Sequence, residues 1–338
     1  MKLRITKHRL AISCCALTSV LPVLLTLMAW TNYQHNDTSL LPVLKLGSYF
    51  NRPTQTNTST AFQLQDPIRF ANETDFDCVR AELDHLEFPF CTYNEEDDVH
   101  ISGVFLRGHY FERHSVLKTV NFMKNHHDIT FLDIGANLGS YSLPVAHVGR
   151  HVVAVEPNWD TLRRLAKSVH LGSISTNIDL LPHAIAAKRS NTFMKFFPNN
   201  RGRTEISNKT SCEKNCVNVS VSVITLNDIL PLMRNKKAII KVDVEGSEIN
   251  VFTPSSANDF FREVDVLIIQ MEWAFYPMYF TQTPEKRRLV DEFLNFFYDK
   301  GYVMYNAYGE QMLPSNWTTW PDDICLTKGR KSGGLYDI

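Results

Sequence analysis

The sequence predicts an α/β fold, with a mostly parallel sheet and helices on both faces, preceded by an N-terminal transmembrane helix and a stem. Short apolar runs alternate with amphipathic segments between Phe131 and Leu181, which is typical of parallel strands joined by crossover helices. A stretch without charges near the N-terminus is long enough to cross a bilayer. A polar segment with few periodic apolar positions separates the two.

The N-terminal region has the pattern of a membrane anchor. Residues 1–9 carry four Lys or Arg side chains, and residues 10–30 carry no charge. As a helix, residues 10–30 would span about 31 Å, close to the hydrocarbon thickness of a bilayer. Basic residues keep the preceding tail in the cytoplasm. A cleaved secretory signal is the alternative, but its apolar core is usually shorter and Trp30–Tyr33 offers a poor cleavage site. We therefore expect an uncleaved signal-anchor and a lumenal domain.

Residues 31–75 are predicted to form a flexible, glycosylated stem because they are rich in Asn, Thr, Ser, Gln and Pro. Six Asn-x-Ser/Thr sequons agree with a lumenal chain, at Asn36, Asn57, Asn72, Asn208, Asn218 and Asn316. The formal net charge of −1 gives no reason to propose nucleic acid as a partner.

Five of the seven cysteines lie beyond the apolar stretch. We expect Cys78 to pair with Cys91 and Cys212 with Cys216, which leaves Cys325 as a thiol, although sequence alone does not fix connectivity. Metal binding by Cys212 and Cys216 is the alternative, but no His or Cys pair follows at zinc-site spacing.

Residues 76–128 are predicted as a lead-in subdomain ahead of the core. Cys78–Leu86 is expected to be a short helix, and Val99–Phe105 alternates enough to be a strand. Ser115–Lys124 has helical spacing, which places Val116, Val120 and Met123 on one side. Within this subdomain, Tyr110 and Glu112 are equally compatible with packing or surface positions and with a site.

The core begins with a strand, a tight turn and a helix. An apolar run ends in Asp133, a loop with Gly135 and Gly139 follows, and Ser140–His147 is amphipathic. Glycine lets a ligand approach the backbone, and the start of the helix offers free N–H groups. A second apolar run, Val152–Val155, ends in Glu156, where a carboxylate can hold both hydroxyls of a ribose. The spacing indicates a nucleoside cofactor.

The loop sequence D-x-G-A-N-x-G favours one cofactor over another. A dinucleotide loop reads G-x-G-x-x-G and places a pyrophosphate at the helix N-terminus. A carboxylate at Asp133 would repel a pyrophosphate, whereas it suits the cationic amino-acid tail of S-adenosylmethionine. An ordinary strand–turn–helix of an α/β domain is the alternative. The expected cofactor-binding residues here are Asp133, Gly135, Ala136, Asn137, Gly139, Glu156 and Pro157.

The core continues with a predicted helix over Thr161–Leu171 and a strand over Ile178–Leu181. Thr192–Phe197 reads as a strand, whereas residues 198–220 are polar and predict an inserted surface loop over the site. In that loop, Arg201 and Arg203 fit a solvated charge cluster better than a substrate contact. Val221–Asp228 leads into a short helix.

A second acidic stretch follows a buried strand, Ala238–Val242. The residues after this strand read Asp-Val-Glu-Gly-Ser-Glu, from Asp243 to Glu248. Open α/β sheets bind ligands at the carboxyl ends of their strands, and strand alternation places Asp243 and Glu245 on one side. An acidic helix N-terminus is the alternative, and it suits Glu248 best.

Another apolar strand, Val264–Met271, ends at Glu272, a further candidate catalytic carboxylate. Four aromatic residues follow, and they suit either stacking on a sugar ring or a core cluster: Trp273, Phe275, Tyr276 and Tyr279. Glu285–Tyr298 is predicted as an amphipathic helix, and Tyr302–Tyr305 and Asp323–Leu326 as the last antiparallel strands. Residues 329–338 form a polar tail.

Three segments, Phe131–Ser142, Val153–Asn158 and Ile240–Glu248, resemble the FkbM family of S-adenosylmethionine-dependent methyltransferases. The resemblance covers Asp97 to Lys328, and the third segment is the most specific. It implies a class I methyltransferase, Rossmann-like fold, with the methyltransferase domain over residues 129–328. We expect an animal, Golgi-anchored type II member of this family.

The resemblance also assigns roles beyond the glycine loop. It places His183 and Ala184 beside the adenine, although His183 is equally compatible with an ordinary loop. The lead-in would border the substrate cleft, and Asn227 stands where the family has an acid. Many relatives look like Glu-x-His at this position. This sequence has no histidine two residues after Glu272, so the resemblance does not assign a histidine base.

Compartment and resemblance together imply O-methylation of a hexose hydroxyl on a glycoprotein or glycolipid. An alcohol is a poor nucleophile, so it needs a general base or a metal ion. Asp243 is the first candidate, as base or as ligand of a divalent cation, followed by Glu245 and Glu272. A Golgi glycosyltransferase that uses a nucleotide sugar is one alternative, since Asp-Val-Glu loosely resembles a D-x-D motif. A non-catalytic nucleoside-binding module is the other.

Overall fold

The computed structural model describes residues 64–70, 72, 75–197, 200–207 and 217–329. The predicted anchor at residues 10–30, most of the predicted stem, and the Cys212 and Cys216 pair lie outside these ranges, as does the tail beyond residue 329. Within the described ranges, none of the helices combines the length and the hydrophobicity that membrane crossing requires.

The lead-in is a β-hairpin followed by helices. Strand β1 (Asp77–Leu83) pairs antiparallel with β2 (Leu86–Thr92), and the chain continues into α1 (Ser102–Leu106) and α2 (Arg113–Asn125). The predicted helix over Ser115–Lys124 is confirmed, and the three apolar residues expected on one side are buried.

Two predictions within the lead-in are wrong. Cys78–Leu86 is not a helix, because Cys78 lies opposite Cys91 in the hairpin and the two form the predicted disulfide. Val99–Phe105 is not a strand, because the Asp98 carboxylate accepts hydrogen bonds from Ser102 N at 2.8 Å and from its Oγ at 2.7 Å. A carboxylate that satisfies the first N–H groups favours a helix there.

The core alternates strands and helices as predicted. Its elements are β3 (Ile129–Ile134), α3 (Ser142–His147), β4 (Val152–Val155), α4 (Trp159–Leu171) and β5 (Ile178–Leu181). The Asn158 side chain caps α4 by accepting from the N–H of Asp160 at 3.1 Å. The first residues that the structure describes contact this core, since Gln65 N donates a hydrogen bond to Leu180 O at 3.0 Å. Residue 65 therefore contacts the domain, although it falls within the predicted flexible stem.

A second, smaller sheet follows β5. It contains β6 (Ala184–Ile185), β7 (Ser190–Phe197), β8 (Asn200–Ser207) and β9 (Val217–Ile224), in the order β6–β9–β7–β8. The prediction of a surface loop over residues 198–220 is therefore wrong for β8 and the start of β9. Both strands form because they pair with β7, and the polar composition of the segment gives no sign of that partner.

The rest of the chain completes the main sheet. Its elements are β10 (Lys237–Val242), α5 (Glu248–Val251), α6 (Pro254–Glu263), β11 (Asp265–Glu272), α7 (Phe275–Tyr279), α8 (Pro284–Tyr298), β12 (Tyr302–Asn306), β13 (Gln311–Met312) and β14 (Asp323–Lys328). Short 3₁₀ helices occur at Pro67–Phe70, Leu226–Leu232 and Pro314–Thr319.

In the described part of the chain, the main sheet has eight strands in the order β13–β12–β14–β11–β10–β3–β4–β5. Strands β11, β10, β3, β4 and β5 run parallel, and β14 runs antiparallel between β11 and β12. This confirms the predicted mostly parallel α/β fold. Neighbouring residues of β3 enter different apolar cores, Phe131 on one face and Leu132 on the other, so both faces are covered. The carboxyl ends of the parallel strands meet at one edge of the sheet.

Candidate functional site

Two loops cross at the carboxyl edge of the sheet. Gly135 has a φ of 83°, and a Cβ built on it would lie 1.8 Å from the carbonyl oxygen of Asp243. The N–H of Asp243 in turn donates to Ile134 O at 2.9 Å. Only glycine fits between these backbones. The loop predicted to bind the cofactor therefore touches the loop predicted to be catalytic.

Asp133 is buried at the end of β3. Its Oδ2 accepts a hydrogen bond from Ser142 Oγ at 2.6 Å. Burial raises the pKa of Asp133 to about 6, while the Lys241 cation and the Ser142 hydroxyl oppose that rise. The group is thus largely ionised at neutral pH and suits a cation.

Glu156 joins the ends of β3 and β4. Its Oε2 accepts from Asn137 N at 2.9 Å and its Oε1 accepts from Asn158 N at 2.8 Å. Burial raises the pKa of Glu156 to about 7, against the effect of those hydrogen bonds. Asn137 is in the left-handed region with φ 49°, which aims its N–H at the carboxylate. Each carboxylate oxygen has a second lone pair, so both can still accept from the hydroxyls of a ribose.

The remaining predicted cofactor residues line the same edge. Ala136 is buried, and its N–H donates to Val155 O at 3.0 Å. Gly139 has a φ of 93°, and a Cβ on it would lie 2.5 Å from the Leu165 side chain. Pro157 follows Glu156 and precedes the residue that caps α4.

His183 and Ala184 lie where β5 leads into the second sheet. His183 is buried, and burial lowers its pKa while the backbone of Ser222 and the Asp228 charge oppose the change. Ala184 pairs with Val223 in the second sheet. A contact of these two residues with the adenine stays a prediction.

Asp243 is paired with a half-buried cation that the sequence reasoning missed. Lys241 Nζ lies 2.9 Å from Asp243 Oδ2 and 5.0 Å from the ring centre of Tyr141. Burial lowers the pKa of Lys241, but the carboxylates of Asp243, Glu112 and Asp133 outweigh it and raise the pKa above its usual value. Lys241 precedes Asp243 by two residues, so strand alternation was the available signal.

Glu272 faces the start of β14. It lies opposite Asp323 in the antiparallel pairing of β11 with β14. Burial, together with the nearby carboxylates of Asp243 and Glu245, raises the pKa of Glu272 well above its usual range. Its Oε2 is buried and has no hydrogen-bond partner among the described residues. The raised pKa favours the protonated form of Glu272, which can donate a hydrogen bond.

Asp323 is a further missed residue, since β14 lies far along the chain from β11 and nothing local marks it. It is exposed and is brought beside Glu272 by the pairing of β14 with β11. Glu245, the residue before Gly246, has a φ of 57°, in the left-handed region.

Glu248 matches the structural alternative rather than a catalytic role. It is the first residue of α5, and its Oε1 accepts from Val244 N at 2.9 Å while its Oε2 accepts from the Tyr276 hydroxyl at 3.0 Å. Both carboxylate oxygens therefore hold the loop in place. Within the described ranges, His, Cys, Asp and Glu side chains form no group of three or more that could hold a metal ion, and a cation at Asp243 stays a prediction.

Comparisons with known proteins identify the family. Residues 133–304, just over half of the chain, match the family model described as the methyltransferase FkbM domain. The comparison with curated protein sequences found no match.

Solved structures share low similarity with the chain. The O-methyltransferase TomG from Streptomyces achromogenes, in complex with S-adenosylmethionine, has 11% identity and a TM-score of 0.38, covering 64% of this chain and 81% of that one. An O-methyltransferase from Bacillus cereus in complex with SAH has 10% identity and a TM-score of 0.39, covering 68% and 90%. A precorrin-6y C5,15-methyltransferase from Geobacter metallireducens has 11% identity and a TM-score of 0.34, covering 71% and 95%.

The family match and the geometry agree. The glycine loop, Asp133 and Glu156 fit a nucleoside with a cationic tail, and the match to a methyltransferase domain over the same residues confirms S-adenosylmethionine as the cofactor. The chain belongs to the FkbM methyltransferase family.

Proposed function

We propose that this protein transfers a methyl group from S-adenosylmethionine to a hydroxyl oxygen of a neutral hexose on a glycoprotein or glycolipid. The observation that carries this proposal is the contact between the two loops at Gly135 and Asp243. It puts residues suited to the donor next to carboxylates suited to a hydroxyl acceptor.

The donor side is built from Asp133, Gly135 and Glu156. Asp133 supplies an anion for the amino group of the methionine tail, and Glu156 has lone pairs for ribose hydroxyls. Gly135 leaves room at the loop because no Cβ projects from it. When bound, S-adenosylmethionine supplies an electrophilic methyl carbon on a sulfonium, which the acceptor oxygen attacks as the carbon–sulfur bond breaks.

The acceptor side must orient a hydroxyl and remove its proton. Holding the reacting groups in line contributes most, and such positioning supplies roughly 7–11 kcal/mol. Asp243 is the proposed base, because the contact with Lys241 engages Oδ2 and leaves Oδ1 for the hydroxyl. Glu272, whose pKa is raised by burial and by the neighbouring carboxylates, would donate a hydrogen bond to a neighbouring sugar oxygen.

The hexose and the compartment rest on the chain's secretory features. Cys78 and Cys91 form a disulfide, which suits an oxidising compartment. The described sequon residues Asn72 and Asn316 are exposed. These features support a single-pass type II protein with its domain in the Golgi lumen, anchored through residues 10–30.

The test uses the full chain in detergent and two measurements. Calorimetry with S-adenosylmethionine should show binding that Asp133→Ala abolishes. Labelled methyl donor should then mark neutral hexose oligosaccharides. Binding without transfer to any glycan would overturn the acceptor, and a folded protein that binds UDP-sugars but not S-adenosylmethionine would overturn the whole proposal.

A further inference from the structure

The aromatic residues after β11 separate into a buried and an exposed group. Trp273 and Tyr276 are fully buried, and their rings stack with centroids 4.1 Å apart. Phe275 and Tyr279 lie four residues apart on α7, so they share one face of that helix. Their rings are nearly parallel, at 18°, with centroids 6.1 Å apart. Tyr279 is 43% exposed, so this second pair offers an aromatic face to solvent.

The pair formed by Phe275 and Tyr279 is fixed beside the acidic loop, residues 243–248. A Cβ built on Gly246 would lie 3.1 Å from Phe275 Cβ, so Phe275 packs directly against the residue that follows Glu245. Phe275 is half-buried and Tyr279 is exposed. Between them in the chain, Tyr276 binds the same loop: its hydroxyl donates to Glu248 Oε2 at 3.0 Å and accepts from Ile249 N at 3.1 Å. Helix α7 therefore cannot move without the loop.

The charge beside the pair selects one class of ligand. Val242 pairs with Met271 in the parallel strands β10 and β11, so Asp243 and Glu272 are the next residues of two neighbouring strands, and Glu245 follows Asp243 in the loop. Lys241 is the cation paired with Asp243. Sulfate, phosphate or carboxylate groups placed against these carboxylates would be repelled, whereas sugar hydroxyls can donate to the carboxylate oxygens. The C–H face of a pyranose packs against an aromatic ring as other apolar surfaces do.

We propose that Phe275 and Tyr279 form a stacking surface for a neutral pyranose ring of the acceptor glycan, with the acidic loop beside it accepting hydrogen bonds from the sugar's hydroxyls. This proposal rests on the proposed function and deepens it, because it assigns acceptor specificity to named residues. The ligand of this surface is an oligosaccharide. A second protein docking on the same aromatic pair is an outcome that the test distinguishes.

The test compares ring-deleting and ring-preserving variants on the full chain. Tyr279→Ala should raise the KM for neutral hexose oligosaccharides about tenfold, while Tyr279→Phe should leave it within about twofold, because the ring rather than the hydroxyl makes the contact. Affinity for S-adenosylmethionine, measured by calorimetry, should stay the same in both. Sulfated forms of the same oligosaccharides should be poor acceptors of the wild type.

Tyr298 offers a matched control. It is 65% exposed and ends α8 ahead of β12, which runs in the same direction as β11, so it lies at the opposite edge of the sheet. Tyr298→Ala should leave the KM unchanged. Phe275→Ala disturbs the contact with Gly246, so it is a secondary variant, and its KM effect counts only if its melting temperature is unchanged.

The outcomes separate the two proposals. Transfer by the wild type with an unchanged KM in Tyr279→Ala would overturn the stacking surface alone. A change in oligomeric state without a change in KM would overturn it too, in favour of a protein contact. Oligosaccharide binding can also be measured with S-adenosylhomocysteine present. This measurement does not require methyl transfer, so it reports glycan affinity separately from catalysis. Binding of S-adenosylmethionine with neither glycan binding nor transfer would overturn both the acceptor class and this surface.

Discussion

The hydroxyl of Tyr141 donates a hydrogen bond to Oε2 of Glu112 at 2.7 Å. Glu112 belongs to the lead-in, outside the residues that match the family, whereas Tyr141 follows the glycine loop. Tyr110 makes a parallel contact, since its hydroxyl donates to Ser140 O at 2.6 Å. The lead-in thus contacts the exit of the cofactor loop. Tyr110 is also buried and packs edge-on against Phe105, so it is a packing residue, whereas a role of Glu112 at the site stays a prediction.

Glu112→Gly should reduce activity while leaving stability nearly unchanged. Glu112 has a φ of 48°, which costs a non-glycine residue about 1 kcal/mol, and relief of that strain offsets the lost hydrogen bond to Tyr141. We expect kcat/KM to fall about tenfold. The Tyr141 ring, which lies against Lys241 Nζ, loses the hydrogen bond to Glu112 that positions it. Asp84→Gly is the control, since Asp84 has a φ of 56° in the hairpin turn. Full activity in Glu112→Gly would limit Glu112 to packing.

Gly135→Ala should destabilise the protein strongly. The new Cβ would lie 1.8 Å from Asp243 O in a left-handed backbone, so we expect a loss of about 3 kcal/mol or more in the free energy of unfolding. Gly149→Ala isolates the effect of the clash, because Gly149 has a φ of 76° with nothing within 4 Å of its Cβ position. It should cost about 1 kcal/mol. Urea denaturation measures both, and equal losses would contradict the close approach of the two loops.

Affinity for S-adenosylmethionine should weaken below pH 6. The Asp133 carboxylate has a pKa of about 6, and the cationic tail needs its ionised form. Each further pH unit downwards should cost up to about tenfold in affinity, as measured by calorimetry. Asp133→Asn should bind weakly with a flat profile. Asp128→Asn, which alters an exposed carboxyl group just before β3, should retain the wild-type slope.

Glu156 should make stability fall as pH rises. Its pKa is about 7 in the folded protein against 4.5 as its ordinary value, so the folded state binds the proton more tightly. This contribution is complete below about pH 4.5 and is lost through about pH 7, up to about 3 kcal/mol. Glu156→Gln removes it. The wild type's advantage over the variant should therefore shrink between about pH 5 and about pH 8, and a constant difference would show that Glu156 ionises normally.

The core could be predicted because its signals are local. Val152–Val155 is an apolar run, Ile178–Leu181 is apolar except for Asp179, and the structure gives those strands the same bounds. Asp133 lies near the end of β3, and Gly135 and Glu156 directly follow strands, so their shared edge was readable from the parallel pattern.

The misses share a physical cause, which is pairing with distant residues. β1 is extended because β2 pairs with it, and residues 200–207 form a strand because β7 does. Asp323 comes to the site only because β14 lies beside β11. Local patterns hold no information on such partners.

The antiparallel β14 sets an order of events during synthesis. It is made last, yet it lies between β11 and β12, which are made earlier. Until residues 323–328 emerge, β11 and β12 each expose an unpaired backbone edge at the centre of the sheet. The nascent chain therefore depends on residues 323–328 to seal the sheet, and a shortened chain that stops before Asp323 would leave these edges open to aggregation.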